Sequence, residues 1–181
     1  MPFELINQTF ATLTLLGIIG LGVFFIVWIV SSKFHFKFFQ KILSFIGNNW
    51  IILSLSIVLF ATFSSLFYSQ VVHLIPCSLC WYQRIFLFPQ AFLLGMNFVN
   101  RKKQVLDSCL LLTFVGMSIA IYHIFVQLGF GLPTPCSINE VADCAVQPFT
   151  YYGFITIPVM SFIAFASLFT ILSIAKKRKA E

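Results

Sequence analysis

In the stretch "IPCSLCWYQRIF", Cys77, Cys80 and Arg84 stand at i, i+3 and i+7, which is one stripe of one helix face. A C-x-x-C pair closes so short a ring that oxidation and reduction are both accessible, the usual form of a working redox pair. A helix beginning near Pro76, a favoured first-turn residue, would place both thiols at its N-terminus. The positive end of the helix dipole favours thiolate there, and a cation one turn below Cys80 adds to the effect. A second pair, Cys136 and Cys144, lies among Gly129, Gly131, Pro133, Pro135 and Pro148, a segment with little regular structure of its own. The fifth cysteine, Cys109, reads as a small apolar residue of a buried helix and is given no function.

Each pair has a plainer reading. Cys77 and Cys80 could be half of a metal site, with His73, His123 and the loop cysteines as further ligands. No second C-x-x-C or H-x-x-x-H completes it, so no metal is expected. A purely structural disulfide is the other alternative. For the loop pair, a disulfide closing the nine residues from Cys136 to Cys144 would add roughly 2.5 kcal/mol on the chain-entropy account. Bracing and exchange are equally served by such a bond, and the loop alone does not choose between them.

The elements that carry these residues are membrane helices. The chain has 181 residues, 60% hydrophobic and 9% charged, against roughly a quarter charged in soluble domains. A bilayer crossing takes about 20 apolar residues. Thr9–Val30, Trp50–Tyr68, Cys80–Val99, Val105–Leu128 and Gly153–Ala175 each qualify. The first lacks the basic flank and small-residue cleavage site of a signal peptide and is expected to be retained. Pro89 is expected to kink the third.

Charge placement then orients the chain. Lys33, Lys37 and Lys41 follow span one, Arg101, Lys102 and Lys103 follow span three, and Lys176, Lys177, Arg178 and Lys179 follow span five. If five spans alternate, these ten share one side, the cytoplasm by the positive-inside rule. The expected topology is N-out and C-in, with the loop 129–152 outside, carrying Glu140 and Asp143. Four of the five cysteines then face the compartment where disulfides persist. This distribution of charge argues against nucleic acid as a partner. Arg84 is the eleventh basic residue and stands alone on the outer side. An arginine in the membrane costs a few kcal/mol, so it reads as functional, with snorkelling to the headgroups as the alternative.

A thiolate beside a cation at lipid depth calls for a partner that lives in lipid. No G-x-G-x-x-G follows a strand and no C-x-x-C-H occurs, so nicotinamide, flavin and haem are poorly supported. The natural electron acceptor is a membrane quinone, ubiquinone or menaquinone, whose reduced oxygens an arginine would stabilise. The competing class is a non-enzymatic multi-pass membrane protein, such as a transporter subunit, with two structural disulfides.

Three patches resemble the DsbB-type membrane thiol oxidases, including their short-loop BdbC-like members. They are "PCSLCWYQR", "YHIFVQL" and "PCSINEVADCAVQPFTYYGFITIP", which together order the region from about Trp50 to Ala175. VKOR-like proteins place the loop pair before the C-x-x-C, the reverse of the order here. The resemblance implies an all-α four-helix transmembrane core (residues 42–181), preceded by an extra N-terminal helix and basic cytoplasmic loop (1–41). It implies disulfides Cys77–Cys80 and Cys136–Cys144, and a bacterial cytoplasmic (inner) membrane location with the cysteines on the extracytoplasmic side. A thioredoxin-like oxidase of the DsbA or BdbD kind would attack the loop disulfide. Electrons would pass to Cys77–Cys80, and Cys80 would deliver them to quinone beside Arg84. His123 and Gln127, one turn apart, would contact the quinone, while Trp81 and Tyr82 read as interfacial belt. Two departures stand out. Span one is extra, and the loop is shorter than in enteric members, which puts the details of partner docking in doubt.

Overall fold

A computed structural model describes residues 2–33, 37–100, 104–130, 144, 145 and 149–180. Among these residues six helices run in the order α1 (Pro2–Lys33), α2 (Lys37–Asn48), α3 (Trp50–Gln70), α4 (Ser78–Asn100), α5 (Gln104–Gln127) and α6 (Ile157–Ala180). Among the described residues four helical stretches are long and apolar enough to cross a membrane: Ile6–Ser31, Trp50–Gln70, Val105–Gln127 and Ile157–Arg178. The chain is an all-α membrane protein. α4 is long enough as well, at 23 residues, but Gln83, Arg84, Gln90 and Asn97 dilute its apolar character. It continues as helix through Pro89.

Helices α3 to α6 close into a bundle in which α3 packs on α4, α4 on α5, α5 on α6 and α6 on α3. Val58, Leu94, Cys109, Ala120, Phe165, Leu168 and Leu172 form the buried centre. Gly116 has a packing reason: a Cβ there would lie 2.5 Å from the Phe165 ring, so glycine lets α5 and α6 approach. Cys109 is fully buried, as its sequence context suggested. α1 lies outside this bundle, against α6 and α2.

The basic segment after span one is not simply a loop, since it contains α2. Its period explains the difference. Phe39 faces the protein and is buried, while Lys37, Gln40 and Lys41 are exposed. Exposed too are Phe38 and Phe45. At the same end of the molecule, Lys176 pairs with Asp107 at 2.7 Å across the α5–α6 ends. Both side chains are well exposed, so the pair adds little stability. Arg101, Lys102, Lys103, Cys136, Glu140 and Asp143 lie outside the described residues.

Candidate thiol redox site

α4 starts at Ser78, near Pro76 as the sequence suggested, and its first bond runs from the Trp81 N–H to the Cys77 carbonyl at 3.1 Å. Cys77 is thus the residue that enters the helix and Cys80 lies in its first turn. Their sulfurs share a hydrogen bond at 3.3 Å. Both are free thiols, as is Cys109, whereas Cys144 is disulfide-bonded. The link from α3 reaches Cys77 through His73, which holds a left-handed backbone (φ 55°) at the edge of the site.

α5 brings His123 into the same place. The Gln83 amide nitrogen lies 3.2 Å from His123 Nδ1. An amide N–H can only donate, so Nδ1 accepts and the ring proton sits on Nε2. Nε2 faces the Cys77 sulfur at 3.8 Å and the Cys144 carbonyl at 3.3 Å. The consequence is electrostatic. Hydrogen bonding with Cys80 holds the Cys77 thiol well below the ordinary thiol range; burial pushes the other way, and the His123 N–H adds to the lowering. The sequence pointed to thiolate at both cysteines through the helix dipole. The geometry selects Cys77 as the sulfur that faces the His123 Nε2.

Cys77, His123 and Cys144 are all buried, and their donor atoms lie within 4.8 Å of one another. Such a trio has the composition of a metal site, but one of its sulfurs is already in a disulfide. A disulfide sulfur is a poor ligand compared with thiolate. A second sulfur within a few ångströms of a thiolate is instead the geometry of thiol–disulfide exchange.

Arg84 does not reach outward along its helix. It is 8% exposed and tied to α3, with Nε donating to the Ser65 hydroxyl and Nη2 to the Ser65 carbonyl, each at 2.8 Å. Its guanidinium also lies 5.2 Å from the Trp81 ring centre, a cation–π contact. Gln127 accepts a hydrogen bond from the Thr156 hydroxyl at 2.8 Å. Cys77, Cys80, Arg84, His123, Gln127 and Cys144 all line one cavity of about 510 Å³ between α3 and α6. The structure therefore brings together every site residue that the sequence singled out and that it describes. Ser65 and Gln83, which hold Arg84 and His123, were not assigned these roles from sequence. A signal for Gln83 did exist: with Gln90 and Asn97 it forms a buried polar row at seven-residue spacing on an otherwise apolar helix.

Fold and site together define a helical membrane protein with a partly buried dithiol set against a disulfide-bonded cysteine. The family model described as disulfide bond formation protein DsbB matches residues 48–175. The chain belongs to this family of membrane disulfide-bond-forming proteins. It is 33% identical over 139 residues to disulfide bond formation protein C of Bacillus subtilis, covering 76% of this chain and 96% of that one. It is 40% identical over 112 residues to the SPbeta prophage-derived disulfide bond formation protein B of the same organism, covering 62% and 75%. A probable disulfide formation protein of Chlamydia caviae shares 33% identity over 135 residues, covering 75% and 97%. No solved structure matches the chain significantly.

Proposed function

We propose that the protein is a thiol:quinone oxidoreductase that reoxidises a thioredoxin-like disulfide oxidase outside the cytoplasm. In this reading α4 crosses the membrane as the third of five spans, and the cysteine end of the bundle faces outward. The observation that carries the proposal is the closeness of the Cys144 sulfur to Cys77, within 4.8 Å and beside His123.

The relay balances as two exchanges. A partner thiolate attacks Cys136 of the Cys136–Cys144 disulfide and releases Cys144 as thiolate. The partner's second thiol then resolves the mixed disulfide, so the partner is oxidised and the loop pair reduced. Cys144 attacks Cys77 of the Cys77–Cys80 disulfide, and Cys80 leaves as the new thiolate. Attack by Cys136 on Cys144 restores the loop disulfide and frees Cys77. His123 holds its Nε2 proton toward Cys77, where it stabilises the sulfur each time it becomes anionic.

A flat conjugated dione suits the cavity, since its walls are mostly apolar and Arg84, His123 and Gln127 supply a few convergent polar groups. Those three residues would hold a quinone. The chemistry it supplies there is acceptance of two electrons and two protons, which returns Cys77 and Cys80 to the disulfide.

A partner lacking its resolving cysteine tests the relay, because it accumulates as a covalent complex visible on non-reducing gels. Cys136→Ser abolishes this complex. Cys80→Ser still captures partner but supports no quinone reduction. A complex that survives Cys136→Ser and vanishes with Cys77→Ser would overturn the two-step route.

A further inference from the structure

α1 lies outside the family-matched residues 48–175, and most of its surface faces away from the protein, with Leu16 and Ile26 more than half exposed. The face toward its N-terminal end differs. Asn7 and Ala11 are buried there. The Phe10 ring lies 5.6 Å from Phe60 and 5.7 Å from Tyr68 of α3. About two turns beyond Phe10, Gly17 meets α6 so closely that a Cβ would lie 2.9 Å from an Ile163 methyl carbon. α1 therefore lies across the seam between α3 and α6, where the redox cavity sits. Phe10 and Thr14 line that cavity along with Cys80 and Arg84 of α4. The Thr14 hydroxyl is tied to the Phe10 carbonyl at 2.8 Å, which leaves its methyl as an apolar contribution. The Tyr68 hydroxyl, buried in the same wall, has no hydrogen-bond partner among the described residues.

We infer that α1 is the lipid-side wall of the acceptor cavity, and that Phe10 and Thr14 select acceptors by their apolar tail. The inference rests on the quinone reading above. A head group held by Arg84 and His123 sits at the α4–α5 side, so whatever extends toward the bilayer passes α1. An aromatic ring and a methyl suit an alkyl or prenyl chain and offer nothing to a polar acceptor.

The test compares an alkyl-tailed benzoquinone with its tail-less parent, using the full chain in lipid nanodiscs and a reduced thioredoxin-like partner. Phe10→Ala should raise KM for the tailed quinone about tenfold, the cost of lost apolar contacts in a pocket, with kcat unchanged. KM for the tail-less quinone should stay within about twofold, and Phe10→Leu should recover most of the loss. Thr14→Phe, which puts bulk into the cavity, should also raise KM for the tailed quinone selectively. Leu16→Ala, on the exposed face, serves as the unchanged control. Equilibrium dialysis of both quinones separates the two readings. Wild-type protein that binds neither quinone overturns the quinone reading and this inference with it. Binding and KM values that are unchanged in Phe10→Ala and Thr14→Phe overturn the role of α1 alone.

Discussion

α1 and α4 are opposites. α1 contains a 26-residue apolar span but buries little of itself, and its outer surface is a run of exposed Leu, Ile, Val and Phe side chains. α4 carries the weaker apolar signal, yet it holds Cys80, Gln83, Arg84, Gln90 and Asn97, all but Cys80 buried. Hydropathy measures what a helix shows to lipid. A helix surrounded by α3 and α5 can carry polar groups where neighbours satisfy them: Ser65 for Arg84, His123 for Gln83, Thr113 for Gln90. Asn97 is the exception, with no side-chain hydrogen-bond partner among the described residues. The polar groups therefore concentrate in the long helix that is not among the four candidate spans.

The sharpest way to break this contrast is to disable α4's thiols. Cys77→Ser should reduce partner-driven quinone reduction to background, while far-ultraviolet circular dichroism and the covalent complex with a resolving-cysteine mutant of the partner remain. Residual turnover above a few per cent would mean that electrons bypass the relay.

Arg84→Gln is expected to come next. Hydrogen bonds to charged groups contribute about 1.5–3 kcal/mol, so KM for quinone should rise roughly ten- to a hundredfold. Arg84→Lys should rescue only part, because a point charge cannot reproduce the paired contacts to the Ser65 hydroxyl and carbonyl. Steady-state kinetics at varied quinone concentration would show it, and an unchanged KM would remove Arg84 from the site.

A smaller effect concerns protons. Because the Cys77 pKa is depressed in the folded protein, its thiolate, and the stabilisation that comes with it, is present above the ordinary thiol pKa. As pH falls the thiolate persists until the lowered folded value is reached, whereas the stabilisation declines progressively between the ordinary and the lowered pKa. Thiolate absorbance of the reduced protein in a Cys109→Ser background should therefore survive well below the pH range where free thiols protonate. His123→Ala should move the midpoint upward, since it removes the Nε2 donor at 3.8 Å. Gln83→Leu should do the same to a lesser degree. A midpoint that ignores both substitutions would mean that the ring proton does not serve Cys77.

The smallest effect belongs to the other half of the contrast. Ile26→Ala on the exposed face of α1 should leave turnover and thermal stability within about 0.5 kcal/mol of wild type. A clear loss would show that this face is covered by something besides lipid.

What the sequence determined by itself was local. Apolar runs marked membrane helices, and i, i+3, i+7 spacing put Cys77, Cys80 and Arg84 on one face. The single-sided lysines suggested an orientation, and the motif patches led to the family. α2 escaped because a short amphipathic helix with exposed lysines reads as a basic loop. The start of α4 near Pro76, with both thiols at the helix N-terminus, was legible because proline is favoured at a helix start. Tertiary structure decided the rest. Cys77 rather than Cys80 lies with Cys144 and His123, Ser65 turns Arg84 inward, Gln83 sets the His123 proton, and α1 closes the cavity. Periodicity within one helix says which residues share a face. Which face meets which neighbour, 19 to 46 positions away in the chain for these contacts, depends on how whole helices pack.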